Sequence, residues 1–118
     1  SFGDTQAKRY GMTAEPEVQT HILQGSRFAF IAGFSDGIGD VMTDQELVDE
    51  CRYASHPQQA AERIMKYAED LGAEDNATIL CIPLRGWGAI RGEDRTALQR
   101  RDRRLNTDIY RNRRNLCL

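Results

Sequence analysis

The chain has 118 residues, of which 40% are hydrophobic and 29% are charged, and its formal net charge is −2. These values are typical of one small soluble globular domain. No run approaches the roughly 18 apolar residues that a membrane-spanning helix needs, and no basic start followed by an apolar stretch indicates a secretory signal. We therefore expect an intracellular protein without a transmembrane segment. Because the chain opens on Ser1 rather than Met, we expect its natural start to lie upstream.

Charge is unevenly distributed along the chain. Residues 1–84 carry 14 acidic and 6 basic side chains, whereas residues 85–118 carry 10 arginines and 4 acidic side chains. This shift predicts a boundary near Pro83–Gly88, between a folded part in residues 1–84 and an arginine-rich extension in residues 85–118. The extension has few apolar residues, so we expect it to need a partner surface or to stay partly disordered.

The three cysteines indicate the cellular compartment in which the chain is found. Cys51, Cys81 and Cys117 are widely spaced and form no C-x-x-C pair, and neither histidine lies at a zinc-ligand spacing from them. Cys51 and Cys81 fall on apolar faces, where buried free thiols are common. Free thiols fit a reducing compartment inside the cell, cytoplasmic or mitochondrial.

The first predicted elements, in chain order, are a loop or short helix and two strands. Residues 1–14 favour the loop or short helix, and a short strand is predicted up to Leu23 after the turn at Pro16. Residues 27–34 place apolar side chains on both faces of an extended segment. This pattern predicts a central strand that is covered on both sides.

Two helices and a second strand follow. Thr43 to Glu46 matches a capping box and predicts a helix start. Pro57 suits the first turn of a second helix, and Gly72 suits its end. Residues 77–84 predict another buried strand, with Pro83 near its end. Beyond it, residues 93–114 could form a helix with a thin apolar stripe.

The order of these elements brings two acidic turns together. Two helices of similar length joined by a short loop form an antiparallel hairpin, so the second strand should start where the first one ends. Asp36 follows the first strand and Asp75 precedes the second. If the two strands share a sheet, both carboxylates meet at one edge of it.

Carboxylates at a sheet edge can bind a metal ion. With only oxygen donors available, the matching ions are Mg²⁺ or Mn²⁺ rather than zinc. A water on such an ion has a lowered pKa and can attack phosphorus or carbon in a hydrolysis. Asp36-Gly37 and Asp75-Asn76 are also ordinary turn sequences, so spacing alone leaves a purely structural role open.

Five segments of residues 1–84 resemble, in family order, the C-terminal half of the protein phosphatase 2C family of metal-dependent serine/threonine phosphatases. Ser1–Asp4 resembles the family's Arg-Ser-x-Gly-Asp element, and Glu15–Val18 resembles its Pro-Glu-Val strand. Phe30–Asp40 resembles its strand ending in Ser-Asp-Gly, and Gln45–Glu46 with the helix after it resembles the helix that follows that strand. Glu74–Thr78 resembles its closing Asp-Asn-Ile-Thr element. Arg9 to Ala14, followed by Glu-Pro-Glu-Val, resembles a fungal, mitochondrial-type branch.

The resemblance implies an α+β fold, an antiparallel β-sandwich with outer helices. This chain would supply a strand, a helix hairpin and a strand, plus the basic tail. It implies Asp36 and Asp75 as metal ligands, with Asp4, Gly37 and Asn76 supporting them and no catalytic residue beyond the ligands. The intact enzyme would use two Mg²⁺ or Mn²⁺ ions and an activated water to hydrolyse phosphoserine and phosphothreonine in a phosphoprotein substrate.

Two departures accompany the resemblance. Gly39 stands where the family often has Trp, and the family's N-terminal half is absent. That half carries an Asp-Gly-His-Gly element, further acidic ligands and a phosphate-binding arginine. We therefore expect the isolated chain to be inactive, to pair with the missing half, and to self-associate when that half is not supplied.

The alternative is a non-catalytic phosphatase-like module that binds an acidic partner through its arginine-rich tail. No nucleic-acid partner is expected.

Overall fold

The structure is a computed structural model that describes residues 5–73, 76–90 and 92–116. Helices dominate it, with two short strands between them. In chain order the elements are α1 (Thr5–Lys8), a single 3-10 turn (Gly25–Arg27), β1 (Phe30–Phe34), α2 (Asp36–Gly39), α3 (Asp44–Cys51), α4 (Pro57–Asp70), β2 (Ile79–Pro83) and α5 (Ala97–Leu116).

The strands β1 and β2 form a two-stranded antiparallel sheet. Phe30 lies opposite Pro83, and Phe34 lies opposite Ile79. The helices α3 and α4 lie between the two strands in sequence and contact each other, for example through an ion pair of 3.0 Å between Arg63 and Glu50. The predicted order of strand, helix pair and returning strand is therefore confirmed. The second sheet of a sandwich stays a prediction, because the described residues form this one sheet.

The core lies between one face of the sheet and the helices. Ala32 and Cys81, which are opposite each other in the sheet, pack against it. Its buried side chains come from α2, α3, α4 and the segment after α2, and they are Ile38, Met42, Leu47, Cys51, Ala60, Ile64, Tyr67 and Ala68. Cys51 is among them, as its position on an apolar face predicted.

Local signals fix where α3 and α4 begin. The Thr43 hydroxyl accepts a hydrogen bond from the Glu46 amide at 3.3 Å, and the Glu46 carboxylate accepts one from the Thr43 amide at 2.8 Å. The predicted capping box is thus confirmed. At the start of α4, Pro57 occupies the first turn, and His56 Nδ1 accepts a hydrogen bond from the Gln59 amide at 3.2 Å.

Two expectations about the strands were wrong. β1 was predicted to be covered on both sides, yet Ile31 on its outer face is 43% exposed and Leu80 of β2 is 60% exposed. Nothing in the described part of the chain packs on that face with enough area to bury it. The strand predicted up to Leu23 does not form, and Val18 and Ile22 are exposed. A strand needs a neighbouring strand to pair its backbone groups, and this segment has none among the described residues.

Within the arginine-rich extension, Ala97–Leu116 form the long helix α5. Its arginines reach back to carboxylates of α3: Arg103 binds Glu46 at 2.6 Å, and Arg100 binds Glu50 at 2.9 Å. The partner surface that the extension was expected to need therefore belongs to this same chain. These contacts cross the predicted boundary between residues 1–84 and 85–118, and that division itself stays a prediction.

Candidate functional site

The turn after β1 meets the segment that leads into β2, from Asn76 to Thr78, at one edge of the sheet. The Ser35 amide donates a hydrogen bond to the Thr78 carbonyl at 3.0 Å, which extends the pairing of β1 and β2 by one step. The Thr78 amide donates to the Ser35 hydroxyl at 3.0 Å, and that hydroxyl lies 3.4 Å from the Asn76 carbonyl oxygen. The Ser35 side chain thus ties the end of β1 to the segment that leads into β2.

Gly37 makes this close approach sterically feasible. A Cβ at this position would lie 2.5 Å from the Asn76 carbonyl oxygen and 3.1 Å from the Ala77 Cα. Both neighbours are backbone atoms, which cannot move aside as the end of a flexible side chain can. The contact between the Asp36 turn and the Asn76–Ala77 backbone therefore requires glycine at position 37.

Asp36 begins α2, directly after Ser35, and its side chain is exposed. Asn76, the residue that follows Asp75 in the sequence, is also exposed and lies across from this turn. Asp75 and Asp4 lie outside the described residues. The structure therefore brings one predicted ligand, Asp36, to the predicted edge, while the assignment of Asp36 and Asp75 as a ligand pair stays a prediction.

The donors at this edge fit only part of a magnesium or manganese site. Within residues 5–73, 76–90 and 92–116, no three His, Cys, Asp or Glu side chains are grouped so that they could hold a metal ion. A hard divalent cation can be held by one or two protein carboxylates together with waters. Asp36 with Asp75 would reach that number, and the close approach at Gly37 places the Asn76 backbone against the Asp36 turn.

A second polar site, which the sequence interpretation missed, joins α3 to α5. Glu46, Asp49 and Glu50 of α3 are almost fully buried. Arg100 is only 5% exposed and lies between several carboxylates, with Nε 2.9 Å from Glu50 and Nη2 2.7 Å from Asp94. Buried carboxylates of this kind are tolerated only when they are paired.

Glu46 takes part in both the helix cap and the ion pairs. One of its oxygens accepts from the buried Tyr67 hydroxyl at 3.1 Å, and Arg103 donates to both of them. Burial alone would raise the pKa of Glu46, but hydrogen bonds from the Thr43 backbone, Arg103 and Tyr67 outweigh it and lower that pKa. Burial, followed by the charge of Glu46, raises the pKa of Tyr67 to about 12. The carboxylate therefore stays charged at neutral pH and the phenol stays protonated.

Asp49 and Asp94 hold the start of α5. Asp49 accepts from the Thr96 amide at 3.1 Å and from the Thr96 hydroxyl at 2.8 Å. Burial raises the pKa of Asp49, but hydrogen bonds from Arg52, Thr96 and Gln45 outweigh it, so the pKa is lowered. The Arg100 hydrogen bond lowers the pKa of Asp94 well below its usual range, and the same bond raises the pKa of Arg100. The cluster is thus a set of mutually satisfied charges.

A signal for this cluster was present in the sequence. The acids of α3 and three arginines of α5 repeat the same helical spacing, three and then one residue apart; they are Glu46, Asp49 and Glu50 on one side and Arg100, Arg103 and Arg104 on the other. Residues with this spacing share one face of a helix. Two helices with matching faces of opposite charge are complementary, but the sequence interpretation treated each set separately.

Comparison with known proteins decides the family. The sequence profile of the family described as Protein phosphatase 2C matches residues 1–77. The chain belongs to the protein phosphatase 2C family. The resemblance that was inferred from five segments is confirmed. Among the described residues, no helix of this phosphatase-family chain combines the length and the apolar character needed to cross a bilayer.

Curated relatives agree with the assignment. Protein phosphatase 2C homolog 4 from Schizosaccharomyces pombe is 42% identical over 89 residues, which cover 74% of this chain and 23% of that protein. The mitochondrial protein phosphatase 1K from Xenopus laevis is 34% identical over 88 residues, 75% of this chain and 24% of that protein. A probable protein phosphatase 2C 45 from rice (Oryza sativa subsp. japonica) is 33% identical over 82 residues, 70% of this chain and 28% of that protein. No solved structure matches the chain significantly. The chain spans about a quarter of the length of these relatives.

Proposed function

We propose that this chain is the C-terminal portion of a protein serine/threonine phosphatase that depends on Mg²⁺ or Mn²⁺ and hydrolyses phosphoserine and phosphothreonine in a phosphoprotein. Membership of the protein phosphatase 2C family supports the reaction class. The contact between the Ser35 turn and the segment from Asn76 to Thr78 carries the proposal for this chain.

Each residue at this edge has a proposed task. Asp36 and Asp75 would bind the metal, Asn76 and Asp4 would support those ligands, and Gly37 keeps the two turns in contact. When bound, the cation would lower the pKa of a water and make it a nucleophile toward phosphorus. No other side chain is proposed to act in catalysis.

The proposed site is incomplete without further protein. Two carboxylates suit one hard cation that keeps several waters, whereas the proposed reaction uses two ions. The remaining ligands would come from the part of the family domain that this chain, at about a quarter of its relatives' length, does not span. We therefore expect no phosphatase activity from the 118 residues alone.

A chimera tests the proposal directly. In Protein phosphatase 2C homolog 4, the segment that matches this chain is replaced by the corresponding residues of this chain, and Mn²⁺-dependent hydrolysis of a phosphopeptide is measured. We expect activity in the chimera, and we expect Asp36→Asn and Asp75→Asn each to reduce kcat/KM by about a hundredfold or more. Asp44→Asn is the matched control, because Asp44 is an exposed carboxylate in the first turn of α3.

Two results would contradict the proposal. An active chimera in which Asp36→Asn and Asp75→Asn behave like the Asp44 control would remove both residues from the metal site. Robust metal-dependent turnover by the isolated chain would show that its own residues suffice, against the inference that the site is incomplete.

The alternative, an interaction module, now depends on a smaller set of arginines. Arg100 and Arg103 bind the chain's own carboxylates, whereas Arg101, Arg113 and Arg114 are exposed. We propose these three as the contacts to an acidic partner, if the chain acts in this way. Salt-sensitive binding to an anionic surface that is lost when all three are changed to Gln would support the alternative.

A further inference from the structure

The helix α5 has two faces of different character. One face is turned to the rest of the chain: Arg100 and Arg103 bind carboxylates of α3, and Arg111 donates to the Glu69 carbonyl of α4 at 3.2 Å. The opposite face bears large apolar side chains that no described element covers. Their exposed fractions are 75% for Leu98, 51% for Leu105, 51% for Ile109 and 85% for Leu116.

These four residues form one narrow stripe along α5. They are separated by seven, four and seven positions, and at 3.6 residues per turn such intervals return to nearly the same side of the helix. Asp102 and Asn112 lie on the same side of the helix between these residues. With them, the spacing between successive members alternates between four and three residues, which is typical of the seam of a two-helix coiled coil. The seam of α5 thus has two polar and four apolar members: Leu98, Asp102, Leu105, Ile109, Asn112 and Leu116.

The seam is symmetric about Thr107. Its members form three pairs that lie equally far before and after this residue: Leu98 with Leu116, Asp102 with Asn112, and Leu105 with Ile109. A second copy of α5, placed antiparallel across a two-fold axis at Thr107, would therefore set apolar against apolar side chains at both ends and at the centre. A surface that is complementary to itself in this way is what an isologous dimer requires.

The polar pair favours one orientation of the second copy. In an antiparallel pair, the Asp102 carboxylate of each helix faces the Asn112 amide of the other, which can donate a hydrogen bond to it. In a parallel pair in register, the two Asp102 carboxylates would face each other, which is unfavourable for like charges. The antiparallel arrangement satisfies both polar positions, and it does so twice because of the two-fold symmetry.

The same residues argue against a membrane surface as the partner. Helices that lie on a membrane combine an apolar face with a polar face rich in Lys and Arg. Here Asp102 lies within the apolar stripe, and Asp108 lies at its edge together with Arg101 and Arg113. Mixed charge beside a narrow stripe is typical of a helix that pairs with another helix.

From this symmetry we propose that α5 is a self-association surface, through which two copies of the chain pair their α5 helices antiparallel along the seam from Leu98 to Leu116. The surface is separate from the sheet edge proposed for the metal. It is also separate from the outer face of the sheet, where Ile31 and Leu80 are exposed.

Sedimentation equilibrium of the full chain at several concentrations tests the proposal. We expect a dimer for the unchanged chain and a rise in the dimer Kd of more than about tenfold for the double variant Leu105→Ser, Ile109→Ser. The matched control is Ile31→Ser, Ile82→Ser on the exposed sheet face, which should leave the dimer unchanged. Circular dichroism of each variant checks that the helices remain folded.

Cross-linking tests the orientation. In a Cys117→Ser background, chains carrying Asp102→Cys are mixed with chains carrying Asn112→Cys and oxidised. We expect mixed disulfides between the two kinds of chain to dominate. Cross-links mainly between identical chains would overturn the antiparallel arrangement.

The remaining outcomes overturn the proposal. They are a monomeric chain at every concentration, a dimer that survives the α5 variant, and a dimer that is lost in the sheet control. Binding of a monomeric chain to vesicles of anionic phospholipid, abolished by the α5 variant, would assign the stripe to a membrane surface instead.

Discussion

Arg100 of α5 and Glu50 of α3 form a buried ion pair of 2.9 Å between residues that lie 50 positions apart in the sequence. Arg100 is 5% exposed and Glu50 is 2% exposed. Removal of one of two charges this deeply buried is costly, because the other has lost its water and keeps fewer partners. The pair therefore makes α5 part of the folded unit.

Removal of the arginine should destabilise the chain strongly. We expect Arg100→Met to lower the free energy of unfolding by roughly 3–5 kcal/mol, because Glu50 and Asp94 lose a buried partner. Arg101→Met, one position away on the exposed side of α5, should change it by less than about 0.5 kcal/mol. Urea unfolding followed by circular dichroism measures both. Equal effects of the two variants would contradict the role given to the ion pair.

Stability should fall in acid. The pKa values of Glu46, Asp49 and Asp94 are lowered in the folded chain, so these groups stabilise it above the unfolded carboxyl pKa of about 4. This contribution is lost as the pH falls through the folded values. We expect a level free energy of unfolding between pH 7 and 5 and a decline below pH 4, with a shallower decline for Glu46→Gln. A free energy that does not change from pH 5 to 3 would contradict this expectation.

A methyl group at Gly37 should force the two turns apart. We expect Gly37→Ala to cost about 1–3 kcal/mol, because its Cβ would lie 2.5 Å from the Asn76 carbonyl oxygen. Gly33→Ala is the control, since no atom lies within 4 Å of a Cβ at that position. In the chimera with the yeast relative, Gly37→Ala should also raise the Mn²⁺ concentration needed for half-maximal activity. If both alanine variants retain full stability and metal response, the turns do not depend on this contact.

The thiols of buried Cys51 and half-buried Cys81 should react slowly. Burial is the main cause that raises the pKa of Cys51 to about 12, and burial also raises the pKa of Cys81. Because the thiolate is the reactive form, we expect a Cys117→Ser chain to react with a thiol reagent at pH 8 at least about a hundredfold more slowly when folded than in urea. Fast modification of the folded chain would show that these side chains are accessible.

The elements with local signals could be predicted from the sequence. The Thr43 capping box, Pro57 at the start of α4 and the antiparallel return of the second strand all follow from neighbouring residues and short connections. The meeting of the Ser35 turn with the chain near Asn76 followed from the same argument. Asp75 as a second metal ligand stays a prediction, since it lies outside the described residues.

Contacts between complementary residues far apart in the sequence could not be predicted from local patterns. The acids of α3 were interpreted without regard to the arginines of α5. A helix within residues 93–114 was predicted, but its docking on α3 was missed because the main contacts are ionic rather than apolar. Ile31 was expected to be buried because its side chain is apolar. Apolar character shows that a face gains from being covered, but it does not show that the described chain supplies the cover.

The hydrogen bonds of the Glu46 carboxylate affect how the chain unfolds. It accepts from the Thr43 amide that opens α3, from Tyr67 of α4 and from Arg103 of α5. Three helices thus share one acceptor, and loss of any donor leaves the others around an incompletely satisfied anion. Detachment of the last helix would therefore loosen the beginning of the third, and the melting of these separate segments would become a single cooperative transition.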